Sequence, residues 1–564
     1  MSDLIGGSAD PTPPPGSEGP GVGATGGGGP VANLRRATVG MAAGTGLSRL
    51  TGVLRVLALA YALGFTRLAD AYNLANTTPN MFYDIILGGV LSATFIPVFV
   101  DRLANKSERE AWRAISAVVT LSVVVLAGAT VVFWIAAPLV ITGYTSLAHT
   151  HGAAAVTNLG HEREVATTLL RWFAPQVLFY GLIALATALL NARRRFAAPA
   201  WVPVANNLVC VAVLLWFHHV AGVPSLLGAQ LHPSQLVLLG LGTTLGVAVQ
   251  AALLVPSLGR AQLRQLRWHW EPGHEAVRTV LRLGTWTFGF VMANQIALFV
   301  VLALAVGAGG AAPVSSYTYA YTFLQMPYAI VAVSVMSAVT PDLSEKWSIG
   351  DMAGFRRRMA GGLRAVLAII LPAAMGMLLL AKPAVALLLG HGAGTPNATA
   401  ATGSALALFA LGLPGFCTFL YVVRVLQSMQ RTRVAFWLYL IENGINVALA
   451  VALVHPLGVR GLALSLSIAY SVAAVCGLVV LRRWLGTLGP PRAWYPLRRV
   501  AAATGFMGIV VLVVSNLSGA ETGIGLLVRV IASVTAGIAV YAAVAAVLAN
   551  RAGPRNGRSA RSTR

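Results

Sequence analysis

The most informative residues are two arginines placed where arginine is costly. Residues 48–99 read SRLTGVLRVLALAYALGF, TRLADAYNLANTTPN and MFYDIILGGVLSATFIPVF, two hydrophobic segments joined by a short polar connection, with Arg49, Arg55 and Asp84 inside them. An arginine at the centre of a membrane helix costs roughly 2.5–3.5 kcal/mol on insertion scales, so such side chains face a bundle interior or a wet cavity. Snorkelling serves long side chains near helix ends, but Arg49 is about a dozen residues from either end of the predicted first helix. The pair therefore predicts a cavity that attracts an anion. A guanidinium suits phosphate because its fixed donors engage two oxygens at once. At roughly 100° per residue the two arginines stand about 120° apart. Gly44, Gly46 and Gly52 would let the helix bend or pack closely enough for both to border one cavity.

Further polar groups extend this set. Asp70 is expected at the outer mouth, as a cap on the second helix or as a substrate contact. Asp84 lies deeper and is expected to pair with Arg49 or Arg55, and Asn80 joins the substrate-binding candidates. Gly88-Gly89 permits either a bend or close helix packing. Glu442 and Asn446, four apart, share a helix face and, with Asn294, form a candidate site for a coupling cation or proton. A glutamate hydrogen-bonded to polar neighbours, gluing helices together, accounts for the same residues. Gln295 and Gln325 add polar groups toward the same interior. Cys210, Cys417 and Cys476 fall in apolar segments without metal-ligand spacing, so core positions and no metal are expected.

The elements that must position these residues are membrane helices. An apolar share of 57%, a charged share of 10% and a mean hydropathy of +0.75 exclude an ordinary soluble domain. Apolar runs recur near the roughly 20 residues needed to cross a bilayer. The pattern predicts an all-α polytopic membrane protein of about 14 helices, near 37–64, 70–100, 112–143, 165–192, 199–219, 234–257, 279–307, 315–341, 361–390, 398–428, 434–455, 460–482, 498–517 and 524–549. Residues 1–34 form a flexible Pro/Gly-rich tail, 35–257 one six-helix lobe, 258–278 a basic linker and 279–484 a second six-helix lobe. Two appended helices (485–549) and a basic tail (550–564) follow.

The formal charge of +23 does not point to nucleic acid, because the arginines sit in short loops between hydrophobic runs. With the N-terminus inside, about 31 Lys and Arg residues flank inner helix ends and 4 flank outer ones; Arg49, Arg55, Arg171, Arg424 and Arg529 fall within spans. That asymmetry supports an even number of helices with both termini cytoplasmic. A weak repeat pairs LNARRRFAAPAWVPVANN from Leu190 with LQSMQRTRVAFWLYLIEN from Leu426, matching Arg195 to Arg431 and Asn207 to Asn443. Parallel repeats of this kind are a common plan for transporters that rock around a central site.

SRLTGVLR, ADAYNLANTTPN, LGGVLSATFIPVF and LNARRRFAAPAWVPVANN resemble the MurJ (MviN) lipid II flippases of the multidrug/oligosaccharidyl-lipid/polysaccharide exporter superfamily. The resemblance implies two lobes around a cationic cavity in the bacterial cytoplasmic membrane. It also implies movement of the undecaprenyl-diphosphate-linked peptidoglycan precursor, lipid II, by alternating access, with cell-wall synthesis or division proteins as partners. The family's first-helix arginines fall on Arg49 and Arg55 and its helix-two acid on Asp70. Its helix-eight arginine falls on Thr322, and Val56, Tyr83, Asp84, Gly88 and Gln325 also depart from its charged pattern. Some relatives use a sodium site to which Glu442 and Asn446 would correspond, so sodium, a proton or the membrane potential is the expected driving force, with no other cofactor. A flippase for another polyprenyl-diphosphate-linked glycan and a drug or metabolite antiporter of the superfamily are the alternatives. An enzyme is not expected, because no paired Asp motif occupies an inner loop.

Overall fold

The computed structural model describes residues 30–85, 107–148, 153–193, 195–222, 224–260, 266–392, 396–488 and 494–550, with positions 95, 99, 100 and 105. Most of the N-terminal tail, the C-terminal tail, Gly88-Gly89 and the end of the second predicted helix lie outside this set. In chain order the helices are α1 (Pro30–Leu63), α2 (Arg67–Asp84), α3 (Glu108–Thr145), α4 (Ala153–Phe173), α5 (Pro175–Ala192), α6 (Ala197–Ala221), the short α7 (Leu226–Leu231), α8 (Pro233–Ala252) and α9 (Val255–Arg260). Then come α10 (Glu275–Val306), α11 (Pro313–Pro327), a π-helical turn (Tyr328–Ala332), α12 (Val333–Ser348), α13 (Met352–Leu389), α14 (Pro396–Ser428), α15 (Thr432–Leu457), α16 (Val459–Leu485), α17 (Tyr495–Ser518) and α18 (Gly523–Asn550). No strand occurs among the described residues, so the all-α polytopic class holds. Twelve spans among them are long and apolar enough to cross a membrane, and Val291–Val306 is a shorter apolar segment. Spans run longer than the periodicity suggests, because α4 with α5 and α11 with α12 cross as composite helices.

Local chemistry sets the helix ends. Thr66 accepts the Ala69 N–H at the start of α2, and Ser107 and Asp351 cap α3 and α13 in the same way. Small residues then decide which helices touch, as they do where lipid supplies no hydrophobic drive between helices. Gly44 of α1 lies under the Trp201 ring of α6, and Gly52 beside Asn207. Gly412 and Gly415 of α14 lie against the backbone of Ser467 and Ser471 of α16, where the Ser467 hydroxyl donates to Leu408 C=O at 2.8 Å. One group packs α1 to α8; a second packs α10 to α16; α17 and α18 pair with each other and lean on α13.

The internal repeat is visible in the backbone. Arg195 N–H donates to Leu190 C=O at 2.8 Å, and Arg431 N–H donates to Leu426 C=O at 2.9 Å, so both turns close alike. The helices that follow, α6 and α15, end alike on Gly222 (φ 61°) and Gly458 (φ 58°), a left-handed position that favours glycine. Between the groups, the linker backbone runs extended along α3: Arg267 N–H donates to Ser116 Oγ (3.2 Å) and His269 N–H to Thr120 Oγ1 (3.0 Å). Four residues of helix rise about 6 Å and two extended residues about 6.6 Å, so the two hydroxyls meet alternate amides. Arg113, His269 and Glu271 close the same contact from the side, and the His269 hydrogen bond holds the Glu271 carboxylate below its usual range, with Arg113 adding to it.

Candidate functional site

Three hydrogen bonds fix the rotation of α1. Trp201 Nε1–H donates to Gly40 C=O at 3.0 Å, and Asn207 Nδ2 donates to Ser48 C=O at 3.2 Å and Thr51 Oγ1 at 3.1 Å. With that face turned to α6, the 120° offset between the arginines separates their surroundings. Arg55 is half-buried on the α6 side, set against Tyr72 of α2, Tyr180 of α5 and Cys210 of α6. Arg49 is exposed, and its charge reaches Tyr328 on the π-turn of the second group. Among the described residues, neither arginine makes an ion pair with a carboxylate. α1 is continuous from Pro30 to Leu63, so the two guanidiniums serve one helix at two depths and on two faces.

Alternation of the spans places the clustered Lys and Arg loops at one end of the bundle, called here the basic face. At the opposite face the two groups are locked together. Asp70 near the start of α2 accepts the N–H groups of Ser315 (2.7 Å) and Val314 (3.3 Å), the first turn of α11. Asn73 Nδ2 donates to Ser315 Oγ at 2.9 Å, and Arg67 bridges Gly310 C=O (3.2 Å) and the buried Glu162 (3.4 Å). The edge-on contact of Phe65 with Tyr319 completes the seal. Asp70 therefore does not join Arg49 and Arg55: both its oxygens satisfy a helix N-terminus, which a negative charge suits electrostatically.

Asp84, exposed at the other end of α2, accepts from Gln295 Nε2 of α10 at 3.5 Å. The arginine pairing expected of Asp84 is not formed among the described residues. Arg55 is turned to the α6 side, and the group that reaches Asp84 across the gap between lobes is an amide. Asn80 donates back to Asn76 C=O at 2.7 Å and is half-buried. Glu442 of α15 is 1% exposed and neither carboxylate oxygen has a hydrogen-bond partner among the described residues. Tyr317, Tyr321, Tyr439 and Tyr470 surround it. Asn446, on the same face, instead accepts from Ser465 of α16 at 3.0 Å, and Asn294 is half-buried on α10.

Two features escape a reading of single segments. One is an apolar chamber of about 600 Å³ between α11, the π-turn, α13, α17 and α18, lined by Phe323, Ile330, Gly376, Val511, Val534 and Tyr541 among others. Tyr541 pins its wall by donating to Ala368 C=O at 2.6 Å. No sequence signal marks the chamber, since each residue in it also suits a lipid-facing position. The other is the π-turn after Pro327, which a proline within an apolar run does hint at.

A family model described as "Lipid II flippase MurJ" matches residues 59–533. The "Lipid II flippase MurJ" of Burkholderia cenocepacia is 28% identical over 401 residues, covering 68% of this chain and 71% of that protein. The "Probable lipid II flippase MurJ" of Vibrio cholerae is 27% identical over 472 residues, covering 81% and 83%. A solved structure described as "Lipid II flippase MurJ, inward closed conformation" shares the fold at a TM-score of 0.74 and 20% identity, covering 91% of this chain and 99% of its own. An inward-facing multidrug resistance MATE family transporter shares it at 0.63 and 16%, covering 77% and 94%.

Proposed function

The chain belongs to the MurJ lipid II flippase family, and on that premise we propose that it carries the undecaprenyl-diphosphate-linked peptidoglycan precursor across the bacterial cytoplasmic membrane. The observation that carries the reading is Arg49: a guanidinium within a membrane helix that pairs with no carboxylate among the described residues and whose charge reaches Tyr328 of the opposing lobe. Lipid II is content in the bilayer along its polyprenyl tail and not along its diphosphate head. Arg49 attracts the head while the hollow faces the basic side, and Arg55 stands deeper on the same helix. The apolar chamber gives the tail a place beside the lobes while the head passes between them.

The basic face lies in the cytoplasm, as the positive-inside rule requires. The bonds of Asp70, Asn73 and Arg67 to α11 and its preceding loop then seal the outer end, and release of the head needs them broken while the lobes rock. Glu442 supports a coupled step: a buried carboxylate without a donor is tolerated with a proton on it or a cation against it. Membrane potential contributes about 2.3 kcal/mol per elementary charge moved across 100 mV. The test is Arg49→Ala in proteoliposomes: insertion is expected to be normal and precursor translocation abolished. Translocation at the wild-type rate would remove Arg49 from the substrate path.

A further inference from the structure

Arg424 is a cation within the bundle that the path described so far does not use. It sits on α14, an enclosed helix flanked by α11, α12, α13, α15 and α16, with most of its residues buried. Tyr421, Val422, Val423, Val425 and Leu426 around it are all buried, yet Arg424 itself is exposed. Arg424 is thus an exposed charge set among buried neighbours on an otherwise packed helix. Its guanidinium donates to Gln427 Oε1 at 3.2 Å, and its charge reaches Tyr439 of α15 and Tyr328 of the π-turn. Tyr328 is also the C-lobe residue that Arg49 reaches from α1. The charges of two arginines from opposite lobes thus reach one tyrosine, whose ring packs on Phe416 of α14 at 4.9 Å, and among the described residues no carboxylate pairs with either arginine.

We propose that Arg424 is the second lobe's ligand for the substrate's diphosphate, held jointly with Arg49 across Tyr328. The inference rests on the flippase reading above and names the partner residue that completes its site. A charge that merely sets topology belongs in a loop or at a frayed helix end. Arg424 instead precedes the buried Val425, Leu426, Ser428 and Met429, which still belong to the packed helix and its cap. α11, the other helix facing α2, carries no basic residue at all, and the Thr322 hydroxyl on it turns back to Thr318 C=O at 2.9 Å. On the second lobe, the guanidinium whose charge reaches Tyr328 is that of Arg424 on α14. A headgroup gripped by one fork from each lobe ties the lobes together at the basic face, which links binding to their movement.

The experiment measures binding of undecaprenyl diphosphate to the full-length protein in nanodiscs, for wild type, R49A, R424A, R424K and the double variant R49A/R424A. R424A is expected to weaken binding roughly 10- to 100-fold, the range for one charge-assisted contact. R424K should recover part of the loss, since it keeps the charge without the planar fork. The double variant should lose less than the product of the single losses, because either single change already breaks the shared grip. Wild-type affinity in R424A beside a clear loss in R49A would overturn the assignment of Arg424 and leave the flippase reading standing. Absence of binding by wild type would fell that reading first. Should R424A misfold, R424Q is measured in its place, and wild-type affinity there overturns the inference equally.

Discussion

Neutralising Asp70 tests the outer seal directly. In Asp70→Asn the side chain keeps one acceptor for the 2.7 Å bond from Ser315 but loses the charge that faces the first turn of α11 and the weaker bond from Val314. Hydrogen bonds to charged groups contribute about 1.5–3 kcal/mol, and a charge at a helix N-terminus about 0.3–1, approaching 2 in partly buried geometry. Part of the first is retained by the amide, so the sealed state should lose roughly 1–2 kcal/mol, a shift of about 5- to 30-fold toward opening. Spin labels at Asn158→Cys and Ala311→Cys, both exposed at that face, read the lobe separation in a background with Cys210, Cys417 and Cys476 changed to alanine. A longer-distance population should appear in Asp70→Asn and be small in the parent. An unchanged distance distribution, even with lower thermal stability, would show that Asp70 only caps α11 and does not hold the lobes, refuting the seal.

Other consequences are independent of that one. Filling the apolar chamber with Val534→Trp should slow translocation of the full-length polyprenyl substrate several-fold while sparing a short-chain analogue; equal slowing of both would detach the chamber from the tail. Glu442→Gln removes the buried carboxylate, so translocation should lose its dependence on a proton or sodium gradient; retained dependence would place coupling elsewhere. For the linker, the Glu271 carboxylate is lowered in the folded protein, so its contribution is fully present above the unfolded value of about 4.3 and is lost as pH falls through the lower folded value. Hydrogen exchange at the Arg267 and His269 amides, corrected for intrinsic rate, should rise below about pH 4. The rise should be modest because the contact is exposed and screened, and Glu271→Gln should show it already at neutral pH.

Much of the architecture was legible from residue order alone. Membrane helices satisfy their own backbone and announce themselves by length and apolarity, so fold class and spans follow from local sequence. The repeat read from Leu190 and Leu426 reappears as two matching turns and two matching glycine caps, because those signals are local backbone chemistry. Arg49 and Arg55 stood out for the same reason: a charge in an apolar run is costly wherever the helix packs. Their 120° offset was readable too, but which face meets which lobe was not. That was decided by Trp201 and Asn207 gripping α1 from a helix about 160 residues away. Asp70 reads as a cap on its own helix, yet it caps α11, some 245 residues on, because only the closed bundle brings that N-terminus to it. Asp84 finds an amide instead of an arginine, and the chamber under α17 and α18 exists only once helices distant in sequence meet. Composition and periodicity determine what each helix is; rotation and partnership are settled by packing between segments distant in sequence, and those decide which charges face a substrate.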